Sequence, residues 1–79
     1  MDRLESSIRR ILEERVGAMG GIGYEDALVS HGVDSVDIVE SIVDIECAFD
    51  IEFGDGMFTE DLSIRDLVEA SRRLVHGSG

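Results

Sequence analysis

The 79-residue chain contains no lysine, and between Arg15 and Arg65 it contains no arginine either. That same interval holds twelve acids: Glu25, Asp26, Asp34, Asp37, Glu40, Asp44, Glu46, Asp50, Glu52, Asp55, Glu60 and Asp61. The formal net charge of −11 is therefore concentrated in the middle of the chain, while the two ends nearly balance. A field of one sign repels nucleic acid and anionic lipid, which excludes both as partners and favours proteins that carry Arg/Lys patches. Cysteine is nearly absent too. Cys47 is the only one, so no internal disulfide can form. Neither Cys47 nor His31 and His76 show metal-ligand spacing, and no metal site is expected. A thiol within a helix, with no oxyanion arrangement in view, is no candidate nucleophile. Asp50, Glu52, Asp55 and Glu60 suggest a calcium loop, but Asp55 stands at the sixth position, where such a loop needs glycine.

No apolar run is long enough to cross a membrane, and the N-terminus lacks the pattern of a secretory signal, so the expected location is the cytoplasm. The all-arginine set of bases is a bias of GC-rich genomes and points to a bacterial origin. Residues 1–79 are expected to form one domain that buries only about 60% of its unfolded surface. A chain this short has little room for an enclosed active site.

What the chain does have is helical periodicity. Leu4, Ile8, Ile11, Leu12 and Val16 predict a helix over Arg3 to Val16, ended by Gly17. The connection that follows runs to about Asp34. Its apolar residues, Met19, Ile22, Tyr24, Leu28 and Val29, indicate a loop laid over a core. A second helix is expected with Asp34 as N-cap and Ser35 in its first turn, running to Phe49 or Asp50. In it Ile38, Ile42, Ile45 and Phe49 share one side, with Asp37, Glu40, Asp44 and Glu46 largely on the others. Met57 to Leu62 should form a short helix. Ser63 and Asp66 resemble a capping box that opens the last helix, striped by Ile64, Leu67, Val68, Ser71, Leu74 and Val75. Residues 76–79 should fray, with 77–79 a disordered tail. The fold class is all-α, a small bundle of three to four helices with a long first loop.

The head of the second helix concentrates the chemistry. Unpaired N–H groups and the positive end of the helix dipole favour an anion there, and a first-turn hydroxyl points outward. A phosphate ester on Ser35 would be stabilised by this setting. By itself an Asp-Ser pair is only a cap.

The surrounding residues extend the signal. His31-Gly32-Val33-Asp34-Ser35-Val36-Asp37-Ile38-Val39-Glu40 resembles the attachment motif of acyl carrier proteins, in which Gly-x-Asp-Ser-Leu opens the second helix. Ile45-Glu46 and Ala48 to Phe53 resemble the end of that helix and the segment after it, and Leu62 to Val68 resemble the start of the last helix. The likeness covers essentially the whole chain.

The resemblance implies a non-catalytic carrier. A phosphopantetheinyl transferase would move the arm of coenzyme A, 4'-phosphopantetheine, onto Ser35, and the arm's thiol would hold acyl cargo as a thioester. Asp34 would support loading by holding metal or a transferase arginine beside the new phosphate. Asp37, Glu40, Asp44 and Glu46 match positions where the family meets basic patches of its acyl-loading and condensing enzymes, Val36 matches the apolar residue after the serine that docks with them, and a monomer is expected. Met57 and Phe58 lie near the region that lines the cargo pocket in that family.

The chain departs from the commonest family pattern at Val36, Ser41, Gly54 and Glu46-Cys47-Ala48. Those departures favour a discrete carrier of polyketide or related natural-product synthesis over the primary fatty acid carrier. An aminoacyl or peptidyl carrier is the nearest alternative, and an unmodified acidic adaptor domain is the alternative of another class.

Overall fold

The computed structural model describes residues 3–17, 21–54 and 56–77, with 76 and 77 as backbone only. Three α-helices follow one another: α1 over Arg3–Val16, α2 over Ser35–Phe49 and α3 over Ile64–Gly77. Each begins or ends where local chemistry dictates. Gly17 closes α1 in the left-handed region (φ 95°), and its N–H donates to the Glu13 carbonyl at 2.9 Å. Asp34 caps α2 with Oδ1 accepting the Val36 N–H at 2.8 Å. Ser63 and Asp66 form the expected reciprocal box at the head of α3. The Ser63 N–H donates to Asp66 Oδ2 at 3.0 Å, and the Asp66 N–H donates to Ser63 Oγ at 3.3 Å.

The apolar stripes of the three helices face one another. Ile8 and Leu12 from α1, Ile38, Ile42 and Ile45 from α2, and Ile64, Leu67 and Val68 from α3 are all buried. The first loop adds to this core. Ile22, Leu28 and Val33 are buried and Tyr24 is half-buried, so the loop lies over the core as its apolar residues indicate. Val29 is the exception at 39% exposure, and Met19 lies outside the described residues. The loop also contains a 3-10 turn, Leu28–His31, that ends at Gly32 in the left-handed region (φ 81°).

Backbone bonds stitch this loop to the entrance of α3. The Leu28 N–H donates to the Leu62 carbonyl and the Arg65 N–H to the Tyr24 carbonyl, each at 2.9 Å, around an isolated antiparallel bridge between Ala27 and Ser63. No strand forms among the described residues.

One sequence expectation needs correction. Met57 to Leu62 form no helix: the segment is irregular and closes with a turn in which the Leu62 N–H donates to the Thr59 carbonyl. Glu46 Oε2 takes the Phe53 N–H at 2.8 Å and Gly54 adopts φ 88°, so the chain is led over the core with Phe53, Met57 and Phe58 half-buried against it. The backbone of α3 is helical through Gly77. Residues 78–79 of the expected tail lie outside the described residues.

Candidate functional site

Ser35 is the first residue of α2 and is exposed. Its backbone position follows from the residues before it. Val33 is buried and anchors the chain, Gly32 supplies the positive φ that turns it, and the carboxylate of Asp34 folds onto the helix end. The Asp34 carbonyl accepts the Ile38 N–H at 3.1 Å and so begins the helical ladder. Because Asp34 does the capping, the Ser35 hydroxyl is not needed for it, and its Oγ makes no hydrogen bond among the described residues. An exposed, uncommitted hydroxyl at the positive end of a 15-residue helix can accept a phosphoryl group and hold the resulting anion favourably. The donor set therefore fits a phosphodiester.

Upstream, the 3-10 turn is held by its own polar contacts. Asp26 Oδ2 accepts the Gly23 N–H at 2.9 Å and meets His31 Nε2 at 3.0 Å, and Ser30 Oγ donates to the Ala27 carbonyl at 2.7 Å. The backbone bond from Gly23, and then His31, hold the Asp26 carboxyl below the usual aspartate range.

Downstream, α2 presents a second apolar line that the sequence reading did not single out beyond its first member. Val36, Val39 and Val43 are 61%, 46% and 49% exposed, at spacing i, i+3, i+7. They share one face, away from Ile38, Ile42 and Ile45. The signal was present as valines that fall off the core stripe.

The expected docking acids do not act as one group. At 3.6 residues per turn, Asp37, Glu40 and Asp44 lie along one edge of the valine line and Glu46 along the other. Glu46 is half-buried and committed to the Phe53 N–H. Glu40 and Asp44 both meet Arg15 of α1. Arg15 Nε donates to Asp44 Oδ2 at 2.8 Å, Nη2 to Asp44 Oδ1 at 3.3 Å and Nη1 to Glu40 Oε1 at 3.3 Å. The hydrogen bond to Arg15 holds the Asp44 carboxyl below its usual range, and the bond and charge of Asp44 raise Arg15 in turn.

Beyond Glu46, a cleft of about 250 Å³ runs between Val39, Ile42, Val43 and Glu46 of α2 and Gly54, Met57 and Phe58. A second, about 360 Å³, lies between Phe53, Gly56 and Met57 and the α3 residues Ala70, Arg73 and Leu74. Cys47 is exposed and free. Ser41 is fully buried in α2, its hydroxyl donating to the Asp37 carbonyl at 2.8 Å. Among the described residues no group of three or more His, Cys, Asp or Glu is placed to hold a metal ion, and no helix is long and apolar enough to cross a membrane. Asp55 of the supposed calcium loop lies outside them.

The model of the phosphopantetheine attachment site family matches residues 2–71. The chain belongs to that family. It is a phosphopantetheine-carrying carrier protein, and carriers of this family are generally not catalysts. No solved structure matches this carrier. The match supports the likeness to acyl carrier proteins and the all-α bundle expected from the sequence. Its cofactor is covalent 4'-phosphopantetheine, and its modifying partner is a phosphopantetheinyl transferase.

Proposed function

We propose that Ser35 carries the phosphopantetheine arm and that the carrier serves acyl-chain synthesis of the polyketide or related natural-product type. The observation that carries the attachment assignment is the exposed hydroxyl of Ser35, uncommitted at the head of α2 while Asp34 does the capping. In loading, Ser35 Oγ bonds to the phosphorus next to pantetheine as the pyrophosphate bond of coenzyme A breaks. Adenosine bisphosphate leaves, and the hydroxyl proton passes to a base on the transferase. The bound arm supplies a thiol that holds cargo as a thioester. The chain's own part is to fix the attachment point on a rigid helix end, to present it to visiting enzymes, and to raise the local concentration of tethered substrate.

Val36, Val39 and Val43 offer those enzymes an apolar contact, bordered by Asp37, Glu40 and Asp44 on one edge and Glu46 on the other. Exposed ion pairs are each worth about 0–1 kcal/mol, so docking should be salt-sensitive and quickly reversed. A carrier with many clients needs such release. The adjacency of Asp34 to Ser35 at the head of α2 supports a role for its carboxylate in bringing magnesium or a transferase arginine to the phosphate. The acyl over the aminoacyl reading is supported by the strong net negative charge, and the specialised over the primary pathway by Val36, Ser41, Gly54 and Glu46-Cys47-Ala48.

Incubation with coenzyme A, magnesium and a broad-specificity transferase, followed by intact-mass measurement, tests the assignment. One arm is expected on the native chain and none on Ser35→Ala, with Asp34→Asn loaded more slowly. An arm that still attaches to Ser35→Ala would refute attachment at this serine, and Asp34→Asn loaded at the native rate would reduce Asp34 to a cap. Charging of the loaded arm by an acyl-activating enzyme but not by an adenylating amino acid ligase would support the acyl reading.

A further inference from the structure

The guanidinium of Arg15 sits where a partner's arginine would be expected to bind. It spans α1 and α2, taking both oxygens of Asp44 and one of Glu40 in a fork of three hydrogen bonds at 2.8–3.3 Å. Asp37 adds to the negative field at the same guanidinium. The three acids lie along one edge of the exposed line Val36, Val39 and Val43. No lysine or arginine follows Arg15 until Arg65, His31 meets Asp26, and Arg65 is bonded to Glu25 and Glu69. The pairing is not a buried structural lock. The Arg15, Glu40 and Asp44 side chains are 39%, 50% and 38% exposed, so each pair is within reach of a competing cation.

From this we infer that Arg15 is a specificity-determining residue, an internal competitor that occupies Glu40 and Asp44 and must be displaced before a basic partner can use them. The inference rests on the reading of α2 as the docking helix. Partners whose basic groups address the front of α2, at Asp34 and Asp37, meet no such competition. Partners that need the Glu40 and Asp44 end must present a guanidinium fork of their own, because a single ammonium replaces fewer of the three bonds. Arg15 thus favours arginine-bearing partners at that end and lowers the affinity of all that bind there.

The test uses the whole chain with a fluorescent penta-arginine peptide as probe, and in parallel the rate of arm attachment by the broad-specificity transferase. Arg15→Gln is expected to bind the peptide about three- to tenfold more tightly at low salt, the effect expected from freeing one or two exposed ion-pair sites. The gain should vanish near 1 M salt, where the Debye length falls to about 3 Å. Arg10→Gln makes the same change in net charge on α1 without freeing either acid, and should give a much smaller gain. Arg15→Gln/Glu40→Gln/Asp44→Asn should fall back to native affinity or below. Equal gains from Arg10→Gln and Arg15→Gln, or no gain from Arg15→Gln, would overturn the inference. The transferase addresses the front of α2 at Asp34, so Arg15→Gln should leave the KM and kcat of attachment close to native, and a KM lowered as much as the peptide affinity is raised would overturn the division of α2 into a free front and an occupied end. A carrier that takes no arm while the peptide results stand refutes attachment but leaves the competition at Glu40 and Asp44 demonstrated.

Discussion

At the scale of the residue, two serines show how much a buried hydroxyl depends on its partner. Ser41 and Ser71 are both fully buried, one in α2 and one in α3. Ser41 returns its hydrogen bond to the Asp37 carbonyl, so a polar residue at a core position costs little. The Ser71 hydroxyl has no partner among the described residues. A buried hydroxyl left unpaired costs about 1–3 kcal/mol, and alanine is also the better helix former by roughly half a kcal/mol. Ser71→Ala should therefore stabilise the carrier by about 1 kcal/mol, offset in part by the small void it leaves. Urea titration should show a higher midpoint at unchanged slope. A lower midpoint would mean that the hydroxyl has found a bond in solution. The sequence shows Ser71 only as a member of the α3 stripe. Whether such a serine is satisfied depends on the neighbours that packing brings to it, and those are not written in the spacing.

At the scale of the element, the three long helices were legible because each carries several turns of apolar period and a capping signal. Arg3–Val16 has Gly17 at its end, α2 has Asp34 before it and α3 has Ser63 with Asp66. The short pieces were not legible. Six residues from Met57 to Leu62 can make few helical bonds against the cost of nucleation. They are instead captured by tertiary bonds, Glu46 with Phe53 before them and Leu28 with Leu62 at their end. The turn at Leu28–His31 escaped notice for the reverse reason, since four residues hold no readable period. The attachment candidate was legible as a motif, whereas its surroundings were not. Pairing of Arg15 with Glu40 and Asp44 joins residues 25 and 29 apart in sequence and exists only once α1 packs on α2. The capping box gives this scale its prediction. Ser63→Ala removes the Oγ that accepts the Asp66 N–H and should cost about 1 kcal/mol, a fall of roughly 4–8 °C in Tm for a domain of this size. Differential scanning calorimetry reads it directly. No change in Tm would mean that Asp66, through its own bond to the Ser63 N–H, supports the helix start alone.

At the scale of the whole molecule, a net charge of −11 sets the field in which every ion pair acts. Self-repulsion of that size opposes compaction, and the exposed bridges offset only part of it. Two carboxylates stand apart from this background because specific bonds hold their charged form. Asp26 lies below the usual aspartate value of 3.8 through the Gly23 N–H and then His31, and Asp44 lies below it through the hydrogen bond to Arg15. A folded pKa below the unfolded one gives stability that is present above the unfolded value and lost as pH falls through the folded value. Asp26→Asn/Asp44→Asn lacks both contributions. Its stability relative to the native chain should therefore be constant from about pH 7 to about pH 5, then rise towards the native value as pH drops below about 4. The comparison belongs in about 0.15 M salt, where charges more than about 8 Å apart are largely screened while hydrogen bonds at 2.8–3.0 Å persist. Urea melts of both proteins across the range give the difference at each pH. A difference that does not change with pH would show that the two carboxylates are no more acidic in the folded carrier than in the unfolded chain, and that the bonds to Gly23, His31 and Arg15 are not kept in solution.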